Sequence, residues 1–305
     1  MRQTVFVSKG VPQRAAELLK KQGYRVVRGT SAAREGRGAA AVLCLLTDKV
    51  DAKTMDAIGP QLKVISNMAA GTDNIDVAAA EKRGVSVANT PDVLTETVAE
   101  HAVGLLLVLS RRIVEGDWFV RKGKYKGWKP DLLLGQELRG KTLGIVGYGR
   151  IGCRTAEILQ KGFGMKVVYH DIKGSGVHEA CGAKKISLQE LLEQSDAVSL
   201  HVPMLSSTRH LISKKELKAM KKTAYLVNTS RGPVVDEKAL VASLERNEIA
   251  GAALDVFENE PRLAPGLAKL DNVVLTPHIA SASKEARDAM AKLAAKNIIE
   301  VLENL

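Results

Sequence analysis

The chain has 305 residues, 45% apolar and 26% charged, with 45 Lys and Arg against 34 Asp and Glu for a formal net charge of +11. That length predicts about two domains, and the composition excludes a disordered, collagenous or disulfide-stapled chain. Three scattered cysteines, Cys44, Cys153 and Cys181, fit neither a disulfide framework nor a zinc knuckle. The longest uncharged stretches, such as Ala197 to Thr208, fall well short of the ~18 apolar residues that span a bilayer. The opening MRQTVFVSKG lacks the apolar core of a secretory signal, so no membrane span and a cytoplasmic location are expected. The positive charge favours an acidic substrate, a phosphate-bearing cofactor or a nucleic acid without choosing among them.

Along the chain, residues 4–7, 24–27, 40–46, 62–66 and 85–88 are short apolar or β-branched runs. Helix-like segments lie between them, including Pro12 to Gln22 and Ile75 to Arg83, each closed by a glycine. A long helix is predicted from Val98 to Val114, where Leu105 to Leu109 leave almost no polar face, so it should be buried on most sides. The alternation resumes at 143–147, 166–170, 197–201, 224–228, 251–256 and 272–275, which predicts six strands in one α/β domain. Two of the intervening helices carry capping boxes, Ser187 with Glu190 and Ser213 with Glu216. A last helix, Lys284 to Leu305, should start from Ser281 or Ser283.

The strongest local signal is Gly147-Tyr148-Gly149-Arg150-Ile151-Gly152, directly after the strand TLGIVG and opening a helix. Gly147 permits the tight turn, Gly149 lets backbone approach a pyrophosphate, and Gly152 lets the helix pack on the strand. The pyrophosphate would sit on the free N–H groups of the helix N-terminus. Asp171, at the end of the next strand, would accept from an adenosine ribose 2′-OH and repel a 2′-phosphate, which predicts NAD over NADP. Gly135 to Thr142 also satisfies a P-loop string, but a strand rather than a helix follows it, so the match reads as accidental.

Polar residues then gather at successive strand ends: Arg231 in Asn228-Thr229-Ser230-Arg231-Gly232, Asp255 followed by Glu258 and Glu260, and His278 in Thr276-Pro277-His278. Such ends converge on the crevice where an open parallel sheet binds its ligand. Together Arg, Glu and His supply an anion clamp, a charge partner and a proton donor. Singly, each has a plain reading: Glu258 and Glu260 as a solvated acidic turn, His278 as a capping or core residue. His101 reads as a satisfied core residue, and His201 as a strand-end residue that could line the cofactor crevice. His178 and Cys181 share a two-residue spacing but bring no further ligands, so no metal is expected. Residues 111–129 interleave seven Arg and Lys with Trp118, Phe119, Tyr125 and Trp128. Single-stranded nucleic acid could bind such a segment, but an oligomer arm is the preferred reading.

The motifs Gly147 to Gly152, Asn228 to Gly232, Ala253 to Pro261 and Thr276 to Ala280, in this order and spacing, resemble the D-isomer-specific 2-hydroxyacid dehydrogenase family over essentially the full length. Within it, Leu45 to Val50, Ala70 to Asp76, Asn89 to Thr95 and Gly116 to Arg121 look most like glyoxylate reductases. The resemblance implies two Rossmann-like lobes: a doubly wound, parallel-sheet NAD domain over 96–279, inserted into a smaller flavodoxin-like substrate domain formed by 1–95 and 280–305. It implies Arg231, Glu260 and His278 as the catalytic set, with Glu260 stabilising the imidazolium. Asp255 would contact the nicotinamide carboxamide. Ala70 and Gly71 would offer N–H groups to the substrate carboxylate, and Thr97, Pro203, Thr208 and Thr229 would line the cofactor site. It also implies a homodimer joined largely through the cofactor lobes, with no membrane or nucleic-acid partner. The expected reaction is reduction of glyoxylate or hydroxypyruvate. The alternatives are a D-3-phosphoglycerate dehydrogenase of serine biosynthesis and, in another class, an NAD-binding corepressor. Against the first, Leu46 to Lys49 lacks the arginines that hold a substrate phosphate; against the second, no disordered tail follows Leu305.

Overall fold

The structure is a computed structural model that describes residues 2–172 and 182–304, so His178 and Cys181 lie outside the described residues. The chain divides into two compact units, Met1–Leu94 with Ala282–Leu305, and Thr95–Ser281.

In the first unit, β1 (Thr4–Ser8), β2 (Arg25–Gly29), β3 (Ala41–Cys44), β4 (Val64–Asn67) and β5 (Ser86–Ala88) form a parallel sheet in the order β2-β1-β3-β4-β5. This is the flavodoxin-like order. The helices α1 (Gln13–Lys21), α2 (Ala32–Glu35), α3 (Ala52–Ile58) and α4 (Val77–Lys82) provide the crossovers. β3 and β4 are buried along their whole length, as strands covered on both faces must be. One face packs Phe6, Val42 and Ile65 against Met55 and Ile58 of α3. The C-terminal helix, Lys284–Glu303, covers the sheet at β3, β4 and β5 and packs on α1. Its N-cap is Ser283, whose Oγ accepts from Ala286 N–H at 3.0 Å.

The second unit opens with α5 (Thr95–Ser110) and α6 (Ile113–Arg121), so the single helix expected to reach Val114 is two. The break has a physical cause. The chain returns at Gly135 and Gln136, close enough that a Cβ on Gly135 would lie 2.4 Å from the Ser110 carbonyl oxygen. Gln136 N–H takes that carbonyl at 2.9 Å, and Arg112 turns left-handed with φ 52°. By length and composition Asp92–Ser110 could cross a membrane. Its apolar faces are instead occupied: α5 packs on α7 (Arg150–Phe163), β10 (Tyr225–Asn228) and β11 (Gly251–Leu254).

The remaining strands are β6 (Thr142–Val146), β7 (Lys166–His170), β8 (Lys184–Lys185), β9 (Ala197–Leu200) and β12 (Val273–Leu275). The sheet is parallel, in the order β12-β11-β10-β9-β6-β7-β8. Among the described residues it has seven strands rather than the expected six; β8 is two exposed lysines at an edge, with no apolar signal to announce it. Strand residues alternate between two cores, as the period of two demands. Leu143, Ile145, Tyr225 and Val227 face α5 and α7, while Val146, Leu200, Leu226 and Leu254 face α8 (Leu188–Gln194), α9 (Lys214–Ala219) and α10 (Glu237–Glu245). Both capping boxes form, with Glu190 and Glu216 each accepting from its serine's N–H and Oγ. The strand order reverses between β6 and β9, and the carboxyl ends beside that reversal are where such a sheet binds its ligand.

Leu106 is 1% exposed in the core between α5 and the sheet. Leu106→Ala should therefore cost about 2–5 kcal/mol, read as a lowered urea midpoint with little change in slope.

Candidate active site

The glycine loop leaves β6 at the reversal point, and its three glycines meet three different surroundings. Gly147 has φ +91°, and a Cβ there would lie 2.6 Å from the His201 carbonyl oxygen after β9. A Cβ on Gly152 would lie 2.2 Å from the Gly147 carbonyl oxygen, so α7 rests directly on the loop. A Cβ on Gly149, the N-cap of α7, would meet nothing within 4 Å. The loop is thus closed against the sheet on two sides and open at the helix N-terminus, where an anion is stabilised by the dipole and N–H groups. Arg150 and Ile151 are the first residues of α7. Asp171, just past β7, accepts from Tyr148 N–H at 2.8 Å through Oδ2, and so sits against the same loop.

The other edges of the crevice follow. After β9, Thr208 Oγ1 donates to the Pro203 carbonyl at 2.7 Å and accepts from Leu205 N–H at 2.8 Å, which fixes that loop. After β10, the Thr229 Oγ1 is buried with no hydrogen-bond partner among the described residues, an orphaned hydroxyl. Thr97 lies in the first turn of α5. The open N-terminus at Gly149, the Asp171 carboxylate and the Thr229 hydroxyl together fit a dinucleotide. His201 is half-buried, its Nε2 2.9 Å from Ser199 Oγ, and desolvation lowers its pKa to about 4. Its ring is therefore neutral at pH 7, and its carbonyl oxygen is the atom that closes on Gly147.

The reactive groups stand after β10, β11 and β12. Asn228 ties its own turn, accepting from Ser230 N–H and Oγ through Oδ1 and donating to the Arg231 carbonyl at 3.0 Å. Arg231 follows in extended conformation. His278 Nδ1 is 2.9 Å from Glu260 Oε2, and Glu260 Oε1 accepts from Phe257 N–H at 3.0 Å. Burial alone would raise the Glu260 pKa, but the bonds from His278 and Phe257 N–H and the charge of Arg231 lower it on balance. Glu260 is thus an ionised partner of His278, although it stands in an exposed turn. Glu258 is no solvated turn residue: it pairs with His210 Nε2 at 2.6 Å.

His278 has φ 53°, a left-handed conformation that costs a side-chain-bearing residue about 1–3 kcal/mol. Asp255 holds it there. Its carbonyl accepts from His278 N–H at 2.8 Å, its Oδ1 from Ile279 N–H at 2.9 Å and Thr276 Oγ1 at 2.6 Å, and its Oδ2 from Ala280 N–H at 2.7 Å. His101 completes the set, with Nε2 3.3 Å from Thr276 Oγ1 and 3.5 Å from Asp255 Oδ1. The satisfied core histidine expected on α5 thus belongs to the support of His278. Sequence reasoning missed this because β12 brings Thr276 to it from 175 residues away. Burial would raise the Asp255 pKa, and the bonds from His101, Thr276, Ile279 and Ala280 lower it on balance.

In the first unit, the segment after β4 has its carbonyls engaged. Thr90 N–H donates to Ala69, Asn89 Nδ2 to Ala70, and Asn67 Nδ2 to Gly71. The N–H groups of Ala70 and Gly71 donate to no described residue, and a carboxylate is a ligand such donors suit. Nearby, Asp48 Oδ2 accepts from Leu45 N–H at 2.8 Å, and Lys49 pairs with Asp51 at 3.3 Å.

Residues 103–280 match the family model described as D-isomer specific 2-hydroxyacid dehydrogenase, NAD binding domain. A glyoxylate reductase of Thermofilum pendens is 50% identical over 315 residues, spanning 99% of this chain and 92% of that one. The crystal structure of the TT0316 protein from Thermus thermophilus superposes with a TM-score of 0.92 at 41% identity, covering 99% of this chain and 97% of that one. An NADPH-dependent glyoxylate/hydroxypyruvate reductase of Sinorhizobium meliloti, in complex with NADP and malonate, gives a TM-score of 0.88 at 36% identity, covering 98% and 93%.

Asp255→Asn keeps the volume but turns an amide toward N–H donors, so it should destabilise the chain by about 1–3 kcal/mol. Because the folded-state pKa of Asp255 is lowered, its stabilisation is complete above the ordinary carboxylate value, about 4, and is lost as pH falls through the lowered one. Urea unfolding at pH 7 should show the full gap between the two proteins, and the same titration in acid a shrinking one.

Proposed function

Because the chain belongs to the D-isomer-specific 2-hydroxyacid dehydrogenase family, an oxidoreductase family that reduces 2-oxo acids with a nicotinamide cofactor, we propose that it is an NADH-dependent reductase of glyoxylate or hydroxypyruvate. The observation that carries this reading is the Glu260–His278 pair at 2.9 Å, within range of the Arg231 charge.

The roles follow from the chemistry of each group. Arg231 grips the substrate carboxylate and polarises the adjacent carbonyl, as a guanidinium does best. Glu260 accepts at Nδ1 of His278, which leaves Nε2 as the atom that donates a proton to the developing alkoxide. Reduced nicotinamide, when bound, supplies the hydride. The glycine loop, from Tyr148 to Gly152, would hold the pyrophosphate, Asp171 the adenosine ribose, and Thr97, Pro203, Thr208 and Thr229 the remainder. Asp255 fixes the His278 loop, and a contact from it to the nicotinamide carboxamide belongs to the same proposal. The resemblance adds the N–H groups of Ala70 and Gly71 as carboxylate donors.

Support for a small substrate comes from the loop at Leu45, which contains no arginine and whose Asp48 and Lys49 are engaged locally. A second phosphate clamp is lacking there. Support for a homodimer comes from α6, which has no buried residue and exposes Ile113, Trp118 and Val120, with Tyr125 and Trp128 beyond it. Such a patch marks an interaction surface, and a groove of about 630 Å³ runs beside it, lined by Leu109, Val114, Phe119 and Leu134 among others.

Side-by-side kinetics should give a higher kcat/KM for glyoxylate or hydroxypyruvate than for 3-phosphohydroxypyruvate, and for NADH than for NADPH. Asp171→Ala should narrow the cofactor preference. Equal wild-type efficiency with NADPH would overturn the role of Asp171, and preference for the phosphorylated acid would overturn the substrate choice. For the α6 surface, replacing Trp118 and Phe119 by Ser should remove about 2 kcal/mol or more of association per anchor. Light scattering on dilution should then show a shift toward monomer.

A further inference from the structure

Glu237 is 3% exposed, although glutamate is among the residues least often buried. It opens α10, just after the N-cap Asp236. Its Oε1 accepts from Glu258 N–H at 2.6 Å and its Oε2 from Ala264 N–H at 3.1 Å. Those two N–H groups bracket the loop that carries Glu260. Between them Arg262 N–H bonds back to the Asn259 carbonyl at 2.9 Å, closing a small turn around Glu260.

The same loop is pinned from its other side. A Cβ on Gly232, the residue after Arg231, would lie 1.9 Å from the Phe257 carbonyl carbon and 2.5 Å from the Glu258 nitrogen. The Phe257–Glu258 peptide is therefore held between Gly232 and the Glu237 carboxylate, one residue beyond the N–H that Phe257 gives to Glu260. Burial raises the Glu237 pKa, and the charges of Glu258 and Glu260 add to this against the two backbone N–H bonds. A buried carboxylate in such company is costly. An apolar side chain would fill the volume without that cost, but only a carboxylate offers two acceptors to two diverging N–H groups.

We propose that Glu237 is a positioning residue for the reduction: by fixing both ends of the Glu258–Ala264 loop it sets the aim of Glu260 on His278. The proposal rests on the roles given above to Glu260 and His278. An error of about 1 Å in such a pair can cost up to a hundredfold in rate.

The test is a double-mutant cycle on the full chain, with NADH and glyoxylate varied up to saturation. Glu237→Gln keeps the volume and replaces one acceptor by a donor. It should lower kcat about tenfold while KM for glyoxylate changes less than about threefold. In a Glu260→Gln background the same change should cost less than about twofold, because the aim it sets is already lost. Equal fold-losses in the two backgrounds, or an unchanged kcat, would overturn the proposal. If Glu237→Gln does not fold, as judged by thermal melting and NADH fluorescence, Glu237→Asp, whose shorter carboxylate spans one N–H, is put through the same cycle. A wild-type chain inert toward every 2-oxo acid would sink the functional reading itself. An active wild type with an additive cycle would sink only the role of Glu237.

Discussion

The buried carboxylate of Asp255 is the constraint from which the rest of the site follows. An unpaired charge in a protein interior is prohibitively costly, so Asp255 must gather donors, and the donors it gathers are the backbone of the segment that carries His278. Three of its four described partners at the carboxylate are Ile279 N–H, Ala280 N–H and the Thr276 hydroxyl. The electrostatic requirement of one residue becomes the conformational requirement of another, and His278 stays left-handed because its neighbours are already committed.

The same device recurs nearby. Glu260 accepts from Phe257 N–H as well as from His278, and Glu237 accepts from Glu258 and Ala264 N–H. Three carboxylates, each bonded to loop backbone, therefore stand close together in a chain whose overall charge is positive: Glu237 opens α10, and Asp255 and Glu260 lie in the connection after β11. Their placement turns flexible connections at the carboxyl ends of β11 and β12 into rigid mounts. Precision of that kind is what a proton donor needs and what loops ordinarily lack.

Much of this was legible in the sequence because parallel strands announce themselves as continuous apolar runs, and strand ends then locate the polar residues. The glycine loop, Asp171, Arg231, Glu260 and His278 fall at or just past strand ends on that ground, while the roles expected of them came from the family resemblance. What escaped was whatever depends on distant partners. His101 looks like core because its helix is apolar on nearly every face, and only β12 gives it Thr276. Glu237 looks like an ordinary acidic first-turn residue of a helix, because nothing local says that the chain returns at Glu258 and Ala264 to bury it. The break at Arg111 and Arg112 was hidden for the same reason, since Gly135 and Gln136 impose it from outside the helix. β8 was hidden because an edge strand of two lysines carries no hydrophobic pattern.

Asp171 serves two masters, and this constrains how the protein can be redesigned. The carboxylate expected to meet the adenosine ribose also accepts from Tyr148 N–H inside the glycine loop. A substitution meant to admit a 2′-phosphate would remove an acceptor from the loop at the same stroke, so altered cofactor choice and altered loop rigidity would arrive together. A successful swap would have to supply a new acceptor for the Tyr148 amide, for instance a short polar side chain at the same position beside an added cation. Evolutionary drift between the two dinucleotides faces the same barrier: it is a paired change rather than a single step.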